Sequence, residues 1–276
     1  MNKIGFIGYG SMGSMLVKSL INSGLVDQKQ IIVTRKDKSR LDEIKLIWPG
    51  IRTVDSVAEV ARLANYIFIC VKPLECKDIL DVIKAFILPE KHIISIAGSV
   101  DIKNIERSMQ CKITKVMPTV LSEVNEGVTL ICHNDKVTDE DATFIEILLK
   151  SISKVVKPLK EKDFGFVSEL TSCAPGFIAA LFMEFVKSGL RHTDDFDEDE
   201  IEGILIHTLF GTARLMMEKK LKFDEVVSRV ATKGGITEEG VMVIKAGLPQ
   251  IFDELFEQTL NKRRIVNDKV NEEFLK

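Results

Sequence analysis

No sign of charge predominates in this chain. Thirty-eight Lys and Arg stand against 41 Asp and Glu, a formal net charge of −3 over 276 residues. Nucleic-acid binding, which needs a cationic surplus against phosphates, is therefore not expected. Long apolar runs are missing too. Ile4-Gly5-Phe6-Ile7-Gly8 is too short and too Gly-broken for a signal peptide. The longest later run, residues 177–183, stops at Glu184, so no membrane span is expected. The five cysteines (Cys70, Cys76, Cys111, Cys132, Cys173) are odd in number and contain no CxxC. That excludes a disulfide scaffold and reads as reduced thiols of a cytoplasmic protein. His92, His133, His192 and His207 are isolated from one another, with no HExxH, and no metal site is expected. The acidic run 195–199 begins like a calcium loop, but Glu200 and Ile206 occupy its sixth and twelfth positions. There is no GxSxG, and Cys173 sits in an apolar setting without a nearby His, so no nucleophile is expected. With 45% apolar and 29% charged residues, an ordinary globular composition of one large or two modest domains remains.

The first half alternates β-rich runs with amphipathic stretches. Strands are expected over residues 3–7, 31–34, 51–54, 66–71, 92–96 and 112–117. Helices are expected over 12–23, 38–47, 57–63 and 74–86, with apolar residues at i, i+3 and i+4. Runs such as Ile67-Phe68-Ile69-Cys70-Val71 are apolar on both faces, as in strands covered from each side. The pattern implies an α/β fold, a Rossmann-type doubly wound, mostly parallel sheet. Later strands are expected at 127–132 and 154–157, separated by a helix starting near Thr138. After Pro158 the strand signal ends, and helices follow over 164–171, 175–188, 197–219, 223–231, 238–246 and 250–261. The expected division is thus 1–157, binding a dinucleotide, and 158–276, all-helical. Residues 175–182 are apolar nearly all round, which predicts a homodimer through this region, a second copy supplying the cover. The charged end, 262–276, reads as solvated or frayed.

Gly8-Tyr9-Gly10-Ser11-Met12-Gly13 follows the first expected strand and opens a helix, the context in which a GxGxxG turn binds a dinucleotide. Its glycines provide the tight turn, close approach to a pyrophosphate and helix-on-strand packing, and the helix N-terminus offers free N–H donors. About 20 residues on, where an acid would take a ribose hydroxyl, stand Thr34, Arg35 and Lys36, with no carboxylate before Asp37. Two cations there favour a 2′-phosphate, so NADP (NADPH) is expected and NAD is the lesser candidate. Val71-Lys72-Pro73 ends the fourth strand at the carboxyl edge, where Lys72 either meets the cofactor ribose or faces solvent. Ala97 and Gly98, at the end of the fifth, are small enough for a nicotinamide ring to pass, though core packing explains them nearly as well. Hydroxyacid dehydrogenases with a helical second domain place a Lys base on the helix after a Gly-rich turn. Here the only Lys of 175–188 is Lys187, at the far end. No base is offered to an alcohol, whereas a protonated imine accepts hydride with orientation alone.

The chain resembles the pyrroline-5-carboxylate reductase family along nearly its whole length. The resemblance rests on residues 4–13, Val71-Lys72-Pro73, Ile94-Ser95-Ile96-Ala97-Gly98, Val116-Met117-Pro118, Asn125-Glu126-Gly127-Val128-Thr129, residues 170–177 and Lys233-Gly234-Gly235-Ile236-Thr237-Glu238-Glu239-Gly240. It implies a nucleotide-binding domain joined to a helical domain that dimerises by interlocking, with dimers assembling further into rings. It also implies reduction of the cyclic imine pyrroline-5-carboxylate to proline, by hydride transfer to the imine carbon. The family's substrate loop is represented by Thr232-Lys233-Gly234-Gly235-Ile236-Thr237. The catalytic residues so implied are Thr237, the donor to the imine nitrogen, and Thr232. The implied substrate-binding residues are Met117, Pro118, Cys173, Gly234, Gly235, Ile236 and Thr237. Two segments depart from the family: Thr119-Val120-Leu121 replaces Asn-Thr-Pro, and Ser172-Cys173-Ala174-Pro175-Gly176-Phe177 replaces Gly-Ser-Gly-Pro-Ala-Tyr. Ser-Cys-x-Pro-x-Phe and the extended C-terminus are similar to the family's late-competence branch. A regulatory or competence-related protein that keeps the fold and nucleotide site without making proline is therefore the alternative reading, and reduction of another small imine or carbonyl a third.

Overall fold

A computed structural model describes residues 2–276; Met1, the start of the expected first domain, lies outside the described residues. Eight strands form one sheet: β1 (Ile4–Ile7), β2 (Ile31–Thr34), β3 (Arg52–Thr53), β4 (Tyr66–Ile69), β5 (His92–Ser95), β6 (Lys112–Met117), β7 (Gly127–His133) and β8 (Ser153–Pro158). Their order is β3-β2-β1-β4-β5-β6-β7-β8, and only β7 runs antiparallel to its neighbour β6. The helices beside it are α1 (Ser11–Asn22), α2 (Leu41–Ile47), α3 (Val57–Leu63), α4 (Cys76–Ile83), α5 (Ile102–Ser108) and α6 (Asp139–Lys150). The expected doubly wound sheet is what forms. Every residue of β1, β2 and β5 is buried, as parallel strands covered on both faces require.

Two apolar layers sandwich the sheet. One packs Ile69, Ile93 and Ile113 against Val60 of α3, Leu80 of α4 and Ile105 of α5. The other packs Phe6, Phe68 and Ile94 against Leu16 and Leu20 of α1 and Leu148 of α6. Phe6 and Phe68, on adjacent strands, stack with ring centroids 4.8 Å apart. Thr138 caps α6 through a reciprocal box with Asp141, where the sequence places that helix start.

Beyond β8 follow α7 (Phe164–Ser168), a π-helical turn (Glu169–Cys173), α8 (Ala174–Leu190), α9 (Glu198–Lys219), α10 (Phe223–Val230) and α11 (Ile236–Leu275). The chain forms two compact units. One runs to Cys173 and takes back Leu260–Lys276; the other is Ala174–Thr259. The expected division at 157/158 thus falls at the end of β8, before the α7 and π-turn residues that belong with the sheet.

Four further expectations are corrected. The expected break at Gly247-Leu248-Pro249 does not occur, and α11 runs through Pro249 as one helix of 40 residues. An interior proline removes a backbone donor at a cost of roughly 3 kcal/mol, and the flanking helix tolerates that loss. The charged end is not frayed: Val266, Val270 and Phe274, four residues apart, make an apolar stripe in which Val270 and Phe274 are buried beside Ile102 and Ile105. Helix α5 was not foreseen, because Ile102 and Ile105 are its only apolar residues in seven. Last, the helical stretch Glu161–Leu190 is long and apolar enough to cross a membrane by length and composition, so Glu184 does not exclude a span on that test. Yet this stretch also carries Glu169, buried and ion-paired to Arg263 at 2.6 Å, as in a packed protein interior.

Candidate functional site

In an open parallel sheet, ligands bind beyond the carboxyl ends of the strands where the order reverses. Here that point lies between β1 and β4. Gly8, directly after β1, adopts φ +102°, and a Cβ on it would strike the Cys70 carbonyl at the end of β4. Its N–H donates to the Thr34 carbonyl at 2.9 Å, tying the ends of β1 and β2 together. A Cβ on Gly13 would strike the Gly8 carbonyl and come within 3.2 Å of the Cys70 Cβ, so only glycine lets the helix close on the strand. A Cβ on Gly10, by contrast, would meet nothing within 4 Å. Gly10 is the N-cap of α1, without a side-chain cap or an acid in the first turn, leaving the N–H groups there for an anion. Ser11 is exposed, Met12 half-buried, and Tyr9 half-buried and hydrogen-bonded to the Trp48 side chain.

Beside this turn a cavity of about 320 Å³ brings together Gly8, Thr34, Arg35, Lys36 and Val71. Lys38 joins them, a residue the sequence reading passed over although it stands two positions beyond Lys36. Asp55, Glu75 and Asp78 also line the cavity. Lys36 Nζ lies 3.5 Å from Glu75 Oε1, but both ends are exposed and the pair contributes little. Asp37, the first carboxylate after β2, does not line the cavity. It accepts from the Ser39 hydroxyl at 2.6 Å and the Ser39 N–H at 3.2 Å, and these bonds hold its carboxyl below the usual range. The first acid after β2 is thereby turned onto its own loop. These residues fit a dinucleotide with a 2′-phosphate: an open Gly10 backbone, free helix N–H groups and three adjacent cations. Lys72 is exposed and does not line the cavity, and Pro73 begins a short 3₁₀ turn.

At the next strand ends, Ala97 is buried and a Cβ on Gly98 would come within 2.6 Å of Met117 Cε. The Ser172 hydroxyl donates to the Pro118 carbonyl at 3.4 Å, which sets the segment holding Cys173 beside Met117 and Pro118. The π-helical turn at 169–173 is a local departure of a kind common at functional sites. Burial, and then the nearby Glu169 carboxylate, push the Cys173 thiol up, so it is a neutral wall residue. The hydroxyl of Thr119, buried, accepts from the Val128 N–H at 3.3 Å and is committed to structure.

The loop of Thr232, Gly234, Gly235, Ile236 and Thr237 lies in the other compact unit, at the start of α11. Gly234 has φ +73°, and its N–H donates to Glu238 Oε2 at 2.6 Å. The Gly235 N–H donates to the Thr232 carbonyl at 2.9 Å. These bonds fix the loop's shape and leave the Thr232 and Thr237 side chains exposed, with Ile236 at 94% exposure. His92 and His133, apart in sequence, are joined through Thr114: its hydroxyl lies 2.6 Å from His92 Nε2 and 2.8 Å from His133 Nδ1. His92 and His133 are therefore close in space though apart in sequence: antiparallel β6–β7 pairs Thr114 with His133, and His92 on parallel β5 lies two residues before Ile94, the partner of Thr114, on the same face.

Comparison with known proteins now decides the family. Residues 3–99 match a family model described as NADP oxidoreductase, coenzyme F420-dependent, and residues 161–265 match one described as pyrroline-5-carboxylate reductase dimerisation. Pyrroline-5-carboxylate reductase 3 of Bacillus subtilis is 35% identical over 274 residues, covering 99% of this chain and 100% of that protein. The chain belongs to the pyrroline-5-carboxylate reductase family. ComE operon protein 4 of the same organism is 28% identical over 259 residues, 93% of each chain. A pyrroline-5-carboxylate reductase structure from Coxiella burnetii superposes with a TM-score of 0.85 at 24% identity, covering 96% of this chain and 98% of that one. One from Plasmodium falciparum, with NADP bound, gives 0.83 at 23% over the same shares. This family member thus shares both their sheet and their helical region.

Proposed function

We propose that this chain reduces a cyclic imino acid with NADPH, most simply pyrroline-5-carboxylate to L-proline. The observation that carries this reading is the end-to-end 35% identity to a protein of that name. The bound dinucleotide would supply a hydride to the imine carbon. Gly10 and the first-turn N–H groups of α1 would hold its phosphates, and Arg35, Lys36 and Lys38 would supply the charge for a 2′-phosphate. Ala97, Gly98 and Met117 shape the ring's passage. Pro118 and Cys173 extend that wall. In the helical unit the Thr237 hydroxyl, on the same loop as Thr232, would orient the imine by accepting from its protonated N–H. A protonated imine needs no base, in keeping with a single Lys, Lys187, on α8. Orientation then provides most of the acceleration. The helical unit pairs with a second copy: Ile178, Met183 and Phe185 of α8 are exposed within one chain, and the matching family model is one of dimerisation. The free state of all five cysteines supports a reducing, cytoplasmic setting.

Purified protein given NADPH and pyrroline-5-carboxylate will show loss of cofactor absorbance. NADPH binding without turnover would overturn this reading in favour of a non-enzymatic role such as the competence-related one. Thr237→Ala will lower kcat by about tenfold or more, the loss of one charge-assisted hydrogen bond of roughly 1.5–3 kcal/mol; an unchanged rate removes Thr237 from the mechanism. Arg35→Ala and Lys38→Ala will each weaken NADPH far more than NADH, by about tenfold for a loss near 1.4 kcal/mol. Equal effects on both cofactors contradict the 2′-phosphate assignment.

A further inference from the structure

A second cavity beside the sheet is larger than the dinucleotide pocket. It measures about 620 Å³, with a floor of β6 and β7 and walls from α5, α7 and the C-terminal part of α11. All of it lies within one compact unit, and of the residues assigned above it shares only Gly98.

Its polar groups are unevenly committed. The Lys115 side chain, 3% exposed, places Nζ 3.1 Å from Asp101 Oδ1 and 3.1 Å from Glu161 Oε1. Two carboxylates thus share one ammonium, leaving an excess negative charge and, among the described residues, a second oxygen on each acid without a protein donor. On α11, Arg263 holds buried Glu169 through Nε at 3.1 Å and Nη2 at 2.6 Å, also hydrogen-bonds the Cys173 side chain, and lines the cavity with its guanidinium. One turn on, Asn267 lines the same cavity, and its Oδ1 is buried without a partner. An unmade bond on a buried acceptor is unfavourable, and a donor from outside the chain would relieve it. Over the whole lining four cations balance four anions. A plain anion would meet the spare carboxylate oxygens, and a plain cation would meet Arg263.

The geometry points to a site for a free α-amino acid in its zwitterionic form. Its ammonium is taken by the spare oxygens of Asp101 and Glu161 and by Asn267 Oδ1, and its carboxylate by the Arg263 guanidinium that lines the cavity. This site is separate from imine reduction and does not rest on it. Calorimetric titration of the full chain with glycine, L-glutamate, L-lysine and L-proline, and with acetate and methylamine as half-ligands, tests it. At least one amino acid will bind about tenfold or more tighter than either half-ligand. Asn267→Leu and Glu161→Gln will each weaken that binding by about tenfold, with NADPH binding unchanged. Thr237→Ala will leave it intact, which separates this cavity from the imino-acid loop. Absence of binding by all four amino acids overturns the site, as does acetate or methylamine binding as tightly. So does binding that is lost in Thr237→Ala and kept in Asn267→Leu.

Discussion

The sheet-centred unit and the helical unit handle their apolar residues in opposite ways. In the first, every strand residue from β1 to β2 and from Ile67 to Ile69 is buried by helices of the same chain. In the second, α8 buries only Val186, and α9 and α10 bury no residue at all. Ile178, Met183, Phe185, Phe210 and Met217 all stand in the open. Both regions obey the same hydrophobic bookkeeping, about 25 cal/mol per Å² removed from water. The difference lies in where the cover comes from. A helix apolar all round, such as α8, has more apolar surface than its own unit hides, which is the surface the proposed second copy would cover.

Substitutions on the two sides separate these regimes. Phe185, 62% exposed in one chain, loses its ring and gains a charge in Phe185→Asp. Burial of one such ring is worth roughly 2–3 kcal/mol, and a two-fold interface counts it twice. Dimer affinity will therefore fall by about 4–6 kcal/mol, roughly a thousandfold or more in Kd, read by light scattering against concentration. Phe68→Ala removes the partner stacked on Phe6 and will cost about 3–5 kcal/mol, with no dependence on protein concentration. An unchanged dimer in the first variant would break the comparison.

The same contrast governs how much was legible beforehand. The sheet was, because strands buried on both faces read as short β-branched runs, and the Gly8–Gly13 turn lies against the one strand end that needs it. Arg35 and Lys36 were legible from spacing. Lys38, Asp55 and Glu75 were not, since only the folded βα loops bring them to one cavity. Helix α5 and the 262–276 segment failed for another reason: their apolar residues are few, and a stripe of Val266, Val270 and Phe274 among charges shows its meaning only against the surface it meets. Pro249 misled in the other direction, a local break signal overridden by the helix on either side.

Acid sharpens the comparison from the sheet side. Burial brings the His92 pKa down from 6.5 to about 4, and burial also lowers that of His133. Asp141, paired to Lys112 at 2.7 Å, faces the same cluster and partly opposes the shift. Below the unfolded value near 6.5 the unfolded chain binds a proton that the folded chain refuses. Stability is therefore full above about pH 6.5 and falls as pH drops toward 4, by about 3 kcal/mol at most for a shift of this size. Denaturant midpoints across that window will show the slope for the sheet unit, and His92→Asn will flatten it. A slope unchanged in His92→Asn would assign the acid sensitivity elsewhere.

The smallest of these effects tests the segment that joins the two regimes. Helix α11 begins in the exposed unit and ends with Phe274, 7% exposed, against the apolar layer under α5. Asn104 Nδ2 donates to Asn271 Oδ1 at 2.8 Å beside it. Phe274→Ala removes most of that anchor one residue from the helix end, where the chain relaxes more freely than in a closed core. The cost will be about 2–3 kcal/mol, at or below the usual range for a buried Phe. Hydrogen exchange localises it: amides of 262–276 will lose protection while those of β4 and β5 keep theirs. If the tail were held by its charges instead, protection would survive Phe274→Ala and fall with added salt.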